Sequence, residues 1–244
     1  MEKARTIATG ARHGRSAPGA RLRTVRPRGT RTKGPRDHRR MHEASWSRAD
    51  AVAVLDAPER RVHQDPVRLW RRVGLKTGDI VVDVGAGSGF YAFPAAAAVG
   101  ANGHVYAVDT SKELVELIRE RAQARQVPNV EPVLSSPARI PIEDATADIA
   151  LLANVLHGLP PKTLDEAIRL LRPGGRLVDV DWKKKPTPDG PPVEHRLALR
   201  EAAAVLAAHG LTRVDSFGLG PSHYVLVFER PRPPRLPGHL VSAE

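Results

Sequence analysis

A chain of 244 residues holds one substantial domain, and its 41% of hydrophobic but only 4% of aromatic residues predict a core of aliphatic side chains. The chain has no cysteine, which excludes disulfides, thiolate metal sites and thiol nucleophiles and agrees with a cytoplasmic location. The net charge of +11 lies entirely in residues 1–40, where thirteen basic residues face two acidic ones, and no apolar run reaches the roughly 20 residues that cross a bilayer.

Residues 1–40 are rich in Arg, Gly, Pro and Thr and show neither a helical nor a strand period, so we expect a disordered tail. Two interpretations stay open: a functional arm, or a mis-assigned translation start upstream of Met41, where the composition becomes globular. His38 and His42 have the spacing of two metal ligands on a helix. Because neither a helical period nor a third ligand accompanies them, no metal site is predicted.

Strand-like and helix-like segments alternate from residue 80 onward. The predicted strands are 80–84, 104–109, 130–134, 148–152, 176–181, 213–217 and 223–229. The predicted helices are 91–99, a segment to about 122 that follows capping-box spacing at 110–113, 162–171 ended by the Pro-Gly-Gly of 173–175, and 194–209.

The last two predicted strands are joined by a link too short for a parallel crossover, so they form an antiparallel hairpin. The predicted fold class is therefore α/β: a doubly wound, Rossmann-like, mostly parallel sheet of seven strands with a C-terminal antiparallel hairpin. This domain is predicted over 41–230, and a Pro-rich tail over 231–244. Ligands of such sheets bind at the carboxyl ends of the strands.

The strongest signal is a glycine-rich turn, DVGAGSG at residues 83–89, at the end of the first strand. Glycines allow a sharp turn and a close approach of the backbone to a ligand. Asp109 ends the second strand, where a carboxylate can accept hydrogen bonds from both hydroxyls of a ribose. A plain βα turn and a helix-capping Asp109 are the alternatives. Together the two features predict a nucleoside pocket.

A dinucleotide site is the competing interpretation. Its G-x-G-x-x-G/A pattern would place Phe90 at the third position, where a large side chain prevents close packing of the helix on the strand. The third glycine is instead Gly89, one residue early. Asp83, two residues before the first glycine, suits an adenosyl amino acid better than a pyrophosphate. The sequence therefore disfavours NAD and FAD.

Four segments together resemble the motifs of class I S-adenosylmethionine-dependent methyltransferases: 83–89 (DVGAGSG), 105–109 (VYAVD), 147–157 (ADIALLANVLH) and 170–177 (LLRPGGRL). They occur in the family's order and spacing and cover about residues 65–230. The set is most similar to the type-11, ubiquinone-biosynthesis-like branch of small enzymes. This resemblance implies S-adenosyl-L-methionine as the cofactor.

The resemblance implies ten residues that bind the cofactor: Asp83, Gly85, Ala86, Gly87, Gly89, Asp109, Thr110, Ser136, Pro137 and Asn154. The turn and its aspartate would hold the methionyl end, and Asp109 would hold the ribose with Thr110 on the adenine side. Ser136 and Pro137 match positions beside the adenine, although the acidic residue common there is missing. Asn154 would meet the amino-acid end.

His157 is the predicted catalytic residue, because an imidazole with a pKa near neutrality can act as a general base. The alternative is that it only caps the turn that follows. Many such enzymes need no base, since the sulfonium of the cofactor is already a strong electrophile. Asp181 and Trp182 are candidates to line the acceptor site. Three further residues are candidates to close the pocket from the C-terminal side: His195, His223 and Tyr224.

The predicted function is methyl transfer from S-adenosylmethionine to an unidentified small-molecule acceptor, with no membrane partner. The alternative is an RNA methyltransferase or a nucleic-acid-associated binding module that uses the basic arm 1–40. Arsenite methylation, as its family performs it, is excluded by the lack of cysteine. Methylation of exocyclic base amines is disfavoured, because residues 153–156 (ANVL) lack the Asn/Asp-Pro-Pro-aromatic motif of those enzymes.

Overall fold

The computed structural model describes residues 48–234. Its strands are β1 (Ile80–Val84), β2 (His104–Asp109), β3 (Val130–Leu134), β4 (Ala147–Ala153), β5 (Leu171–Trp182), β6 (Thr212–Leu219) and β7 (His223–Glu229). Its α-helices are α1 (Arg48–Leu55), α2 (Pro58–His63), α3 (Pro66–Arg72), α4 (Ala92–Val99), α5 (Lys112–Ala124), α6 (Pro161–Leu170) and α7 (Leu199–Ala208). Short 3₁₀ turns lie at Leu156–Gly158 and Val193–His195.

The seven strands form one sheet in the order β3-β2-β1-β4-β5-β7-β6. The first five strands in the chain are parallel, and β7 runs antiparallel to both β5 and β6. The predicted fold class, including the C-terminal hairpin, is confirmed. Successive strands are added to one side of β1 as far as β3 and then, from β4 onward, to its other side. The loops that follow β1 and β4 therefore border a ligand-binding crevice.

Helices cover both faces of the sheet, and each face has its own apolar layer. Trp70 of α3, Ala95 of α4 and Ile118 of α5 belong to the layer on one face. Leu164 of α6 and Leu206 of α7 belong to the layer on the other. Buried β-branched and leucine side chains of the central strands supply both layers, as the apolar, aromatic-poor composition predicted.

The boundary between α6 and β5 differs from the prediction. The helix ends at Leu170, and β5 starts at once with Leu171, five residues before the predicted start of the strand. The Pro-Gly-Gly segment lies inside the strand, where the register with β4 shifts and Gly174 adopts a φ of 80°. Hydrogen bonds with the backbone of Arg230 hold this irregular stretch, so the segment bends the strand rather than preceding it.

The helix predicted over 194–209 is shorter in the structure. It begins at Leu199, because residues 193–195 form a 3₁₀ turn and Arg196 is extended, with ψ of 141°. The guanidinium of Arg196 donates to four backbone carbonyl oxygens within 183–191, and the exposed fraction of this residue is only 3%. Those bonds require the extended backbone and anchor the loop that follows β5.

Helices α1 to α3 were not predicted at all. The start of α3 carries a recognisable signal, since Asp65 accepts hydrogen bonds from the N–H groups of Val67 and Arg68 and is followed by a proline at the first helical position. No helix among residues 48–234 is long and apolar enough to cross a bilayer. The predicted tail 1–40, the pair His38 and His42, and most of the predicted C-terminal tail lie outside the described residues.

Candidate active site

The glycine-rich turn after β1 depends on backbone conformations that only glycine adopts freely. Gly85, Gly87 and Gly89 have φ of 77°, 57° and 82°. A Cβ atom at Gly89 would lie 2.6 Å from the ring of Phe93. The N–H groups of Gly85 and Ala86 donate to the carbonyl oxygen of Val108, at 2.8 and 2.9 Å, and this ties the turn to β2. The turn thus presents bare backbone at the crevice.

We expect the substitution Gly89→Ala to lower the free energy of unfolding by about 2–4 kcal/mol, because left-handed strain and overpacking against Phe93 add together. Gly210→Ala is the matched control: φ is 79° there, but no atom lies within 4 Å of the added methyl group. Strain alone predicts a loss of about 1–2 kcal/mol for the control. Urea unfolding measures both, and equal losses would contradict the steric argument.

Asp83, the penultimate residue of β1, has a buried carboxyl group with one oxygen that accepts no hydrogen bond within residues 48–234. Its exposed fraction is 1%, and its Oδ2 atom has no hydrogen-bond partner among the described residues. Burial raises the pKa of Asp83 to about 7, against the opposing effects of the Arg60 guanidinium and a hydrogen bond from the N–H of Ala92. The carboxyl group is therefore poised to ionise when a cation approaches.

Asn154, just after β4, offers a second vacant acceptor beside the first. Its φ of 61° lies in the left-handed region, which asparagine tolerates, and its N–H donates to Val180 O at 2.7 Å. The side-chain Nδ2 donates to Gln64 Oε1 at 2.9 Å, whereas Oδ1 is buried without a partner among residues 48–234. Because β1 and β4 are neighbours, the two unpaired acceptors lie at the carboxyl ends of adjacent strands.

Asp109 ends β2 and faces the glycine-rich turn. Its Oδ2 accepts from the N–H of Gly87 and its Oδ1 from the N–H of Ser111, both at 2.9 Å. Burial raises the pKa of Asp109, whereas hydrogen bonds from the backbone oppose the rise. Helix α5 is capped by Ser111, whose Oγ accepts from Leu114 N at 3.4 Å, so Asp109 is not the cap of the helix. Each oxygen of Asp109 keeps a lone pair for a ribose hydroxyl.

The residues predicted on the adenine side lie at the rim of the same crevice. Thr110, Ser136 and Pro137 are exposed. The segment after β3 is joined to the end of β2, since the N–H of Ser135 donates to Asp109 O at 3.0 Å. Pro137 O accepts from the hydroxyl of Thr163 at 2.7 Å, which fixes this rim against α6. The structure thus brings the predicted cofactor-binding residues to one edge of the sheet.

His157 lies in the 3₁₀ turn after β4 and is paired with the buried carboxylate of Asp181 at the end of β5. The Nδ1 atom is 3.0 Å from both oxygens of this carboxylate, and the N–H of His157 donates to Asp181 Oδ2 at 3.2 Å. The exposed fractions of the two side chains are 3% and 0%. A carboxylate bound at Nδ1 places the basic lone pair of a neutral imidazole on Nε2.

Asp179 lies behind this pair on the same face of β5. It is fully buried, and neither of its oxygens has a hydrogen-bond partner among the described residues. Burial, together with the neighbouring charge of Asp181, raises the pKa of Asp179 well above its usual value. When Asp179 is protonated, the two neighbouring carboxyl groups do not repel each other as a pair of anions.

Two residues at the C-terminal part of α2 and directly after it, Arg60 and Gln64, complete the site, and the sequence did not predict them. Gln64, with an exposed fraction of 4%, accepts through Oε1 from the hydroxyl of Tyr91 at 3.1 Å, from Asn154 Nδ2 and from Arg60 Nε. The guanidinium of Arg60 lies 4.1 Å from the centre of the Phe90 ring. Arg60 is therefore a cation held beside Asp83 and directly over the turn.

The junction of α1 and α2 is fastened onto the glycine-rich turn. Asp56 forms an ion pair with Arg121 of α5 at 2.5 Å and accepts from the hydroxyl of Ser88 at 2.8 Å. Leu55 packs so closely that a Cβ atom at Gly87 would lie 2.8 Å from its Cδ1. The two N-terminal helices thus cover the crevice, and their residues could not be assigned while the helices themselves were unpredicted.

These features define the class of protein. A glycine turn and a carboxylate at neighbouring strand ends fit a nucleoside, and two unpaired buried acceptors beside a guanidinium fit an amino-acid group. The crevice is built for an adenosyl amino acid.

Known proteins agree with this class. A family model described as a methyltransferase domain matches residues 81–175. A crystal structure of an S-adenosylmethionine-dependent methyltransferase from Aquifex aeolicus is 33% identical, with a TM-score of 0.70, over 73% of this chain and 96% of that chain. The arsenite methyltransferase of Halobacterium salinarum is 36% identical over 47% of this chain and 30% of that protein.

The ubiquinone/menaquinone biosynthesis C-methyltransferase of Brucella anthropi is 30% identical over 55% of this chain and 52% of that protein. The chain thus spans about half or less of the length of these curated relatives. It covers nearly the whole Aquifex protein, and it belongs to the class I S-adenosylmethionine-dependent methyltransferases. The resemblance drawn from the sequence motifs is confirmed, and the cofactor of the family is S-adenosylmethionine.

Proposed function

We propose that this protein transfers a methyl group from S-adenosylmethionine to a small-molecule acceptor. The observation that carries the proposal is a pair of buried oxygens, Asp83 Oδ2 and Asn154 Oδ1, that have no hydrogen-bond partner within residues 48–234. Buried polar groups are almost always hydrogen-bonded in proteins. An ammonium group supplies the missing donors, and the α-ammonium of the cofactor is the donor that this family brings.

The same geometry supports roles for the other residues that border the crevice. Arg60 is suited to the carboxylate of the cofactor's amino-acid end, because guanidinium and carboxylate groups pair through two parallel hydrogen bonds. The lone pairs left on Asp109 suit the ribose hydroxyls, and Thr110, Ser136 and Pro137 border the space for the adenine. S-adenosylmethionine supplies a methyl group on a positively charged sulfur.

His157 is proposed as the base that accepts a proton from the acceptor. Asp181 fixes the ring through Nδ1, stabilises the imidazolium that forms and directs Nε2 away from itself. A base is needed when the acceptor is a hydroxyl, an amine cation or an acidic carbon, because each must lose a proton. The His157–Asp181 pair therefore supports an acceptor of this kind.

A small-molecule acceptor is favoured over RNA for two reasons. Relatives of the chain are named for arsenite and quinone chemistry. The basic excess lies in 1–40, so the rest of the chain has no net charge to attract a phosphate backbone. Arsenite itself is disfavoured, since the chain has no thiolate to bind a soft arsenic centre. A cytoplasmic location stays a prediction.

Methylation with labelled cofactor tests the proposal. The full chain is incubated with methyl-labelled S-adenosylmethionine and, in parallel, with a pool of metabolites and with total RNA. The proposal expects label in small molecules, and an equal yield from a chain starting at Met41. Label confined to RNA, and lost with residues 1–40, would establish the alternative function instead.

We expect Asp109→Ala to weaken binding of S-adenosylhomocysteine by about 1–3 kcal/mol, through the loss of charge-assisted hydrogen bonds to the ribose. Asp109→Asn is the matched control, because it keeps one acceptor oxygen near Gly87 N and should lose less. Isothermal calorimetry measures both dissociation constants. An affinity unchanged in Asp109→Ala would show that the ribose binds elsewhere.

A further inference from the structure

Two cations at the end of β5 are held only by neutral oxygens. Lys183 Nζ donates to the carbonyl oxygens of Gly220 and Pro221 in the β6–β7 turn, at 3.4 and 3.2 Å. Arg196 donates to backbone carbonyl oxygens alone. Within residues 48–234 neither side chain forms an ion pair with a carboxylate. No carboxylate among the described residues is bound directly to either cation, although the charge of Asp181 acts on Arg196 from further away.

Two buried imidazole nitrogens in the same region also have no partner among the described residues. They are Nε2 of His223, a residue that is fully buried, and Nδ1 of His63. The other ring nitrogen of His223 lies 3.0 Å from Ser222 Oγ. Burial, reinforced by the nearby guanidinium of Arg60, lowers the pKa of His223 to about 3, so the ring is neutral and carries one N–H. When the hydroxyl of Ser222 donates to Nδ1, that N–H is on Nε2.

The β6–β7 turn brings these groups to the crevice. At Gly220 a Cβ atom would lie 2.3 Å from the carbonyl oxygen of His63, so the turn and the end of α2 are in direct contact. His63 precedes Gln64, whose side chain is bonded to that of Asn154. The cluster therefore adjoins the proposed amino-acid end of the cofactor site, at the carboxyl end of β5.

The indole of Trp182 forms an apolar wall beside the cluster. Its ring centre is 4.1 Å from that of His223, and the guanidinium of Arg196 lies 5.0 Å from its ring. Gly190 also packs on the indole, since a Cβ atom there would lie 2.8 Å from it. The partly exposed edge of this indole, next to unpaired imidazole nitrogens and to cations bound only by carbonyl oxygens, suits a ligand with a planar apolar body and an anionic end.

We propose that the methyl acceptor carries an oxyanion, a carboxylate or a phosphate, which binds between His63, His223 and Lys183 with its apolar body against Trp182. This inference rests on the proposed function and names the class of its substrate. An oxyanion accepts the hydrogen bonds that the imidazoles lack, and its charge offsets the two cations. Both nitrogens are buried, so entry of the anion requires a local opening around them.

Calorimetric titration of the S-adenosylhomocysteine-saturated protein with three probes tests the inference. Benzoate offers a carboxylate, phenyl phosphate offers a phosphate, and benzamide is the neutral molecule of matched shape. We expect at least one anion to bind about ten-fold or more tightly than benzamide. The stronger of the two anions identifies the oxyanion. Benzamide binding as tightly as both anions, or no binding of either anion, would overturn the inference.

Variants locate the site. In Lys183→Gln and in His223→Gln the preference for the anion is expected to shrink at least about three-fold. The control His104→Gln, at the start of β2 and so far from the carboxyl ends of the strands, should keep the preference. If His223→Gln does not fold, the inference is still tested by Lys183→Gln, whose side chain is half-buried, and by the comparison of anions with benzamide in the wild-type protein. A preference unchanged in Lys183→Gln places the anion elsewhere. Failure of S-adenosylhomocysteine to bind contradicts the proposed function, whereas its binding without any anion preference overturns this inference alone.

Discussion

Replacing Asp83 with asparagine is expected to weaken S-adenosylmethionine binding at pH 8 by about 2–5 kcal/mol, the usual loss when one partner of a buried charge pair is removed. The neutral amide keeps the shape of the side chain but has no charge for the α-ammonium. Calorimetry of the two proteins measures the loss. An affinity equal to that of wild type would show that the amino-acid end binds without Asp83.

Wild-type affinity should also depend on pH. Because the pKa of Asp83 in the free protein is about 7, binding of the ammonium below that pH requires the carboxyl group to release a proton. From pH 7 to pH 5.5 the apparent affinity should fall by about ten-fold or more. The Asp83→Asn variant, which has no proton to release there, should show a flat profile over this range.

The same substitution should stabilise the protein without its cofactor. The pKa of Asp83 is raised on folding from 3.8 to about 7, so the folded state favours the protonated form. The contribution of Asp83 to stability is therefore largest below the pKa of the unfolded state and declines as pH rises to about 7. At pH 8, Asp83→Asn should raise the free energy of unfolding by about 2–4 kcal/mol, and the gain should vanish near pH 4. Urea unfolding at both pH values measures it.

Replacing His157 with glutamine is expected to lower kcat by about 10²- to 10⁴-fold, the range that a positioned general base contributes. The affinity for S-adenosylhomocysteine should be unchanged, since this side chain is bound to Asp181, which is not among the residues proposed to hold the cofactor. The rate is measured with the acceptor that methyl labelling identifies. Full activity in His157→Gln would show that alignment alone drives the transfer.

Asp181→Asn separates the base from the residue that positions it. The imidazole remains, but the carboxylate that stabilises the imidazolium is lost, so kcat should fall less than in His157→Gln. His104→Gln controls for the loss of an imidazole far from the site, because His104 lies at the start of β2 and contacts Glu131. A fall in His104→Gln as large as that in His157→Gln would contradict a specific role for the base.

Local patterns were sufficient to predict most of the fold. The central strands are rich in buried β-branched and leucine residues, and the short β6–β7 link forced an antiparallel pair. The failures have physical causes. Leu171 continues directly into β5 because a bulge absorbs the Pro-Gly-Gly segment, and 194–198 is not helical because Arg196 binds carbonyl oxygens of the loop before it. Neither feature has a helical or strand period in the sequence.

The residues of the site likewise fall into those that the sequence predicts and those that it does not. The glycine turn, Asp109 and Asn154 follow strands and could be placed from order and spacing. Arg60 and Gln64 could not, because α2 is only six residues long and its residues are held by contacts with Leu55 and Tyr91. The pairing of His157 with Asp181 joins residues 24 positions apart, and only the β4–β5 register brings them together.

A crystal structure of the protein with S-adenosylhomocysteine tests the central claim most directly. The account predicts the α-ammonium within hydrogen-bond distance of Asp83 Oδ2 and Asn154 Oδ1, and both ribose hydroxyls on Asp109. Should these two oxygens stay without a donor while the ligand lies elsewhere, or should the crevice take up no ligand at all, the account is wrong.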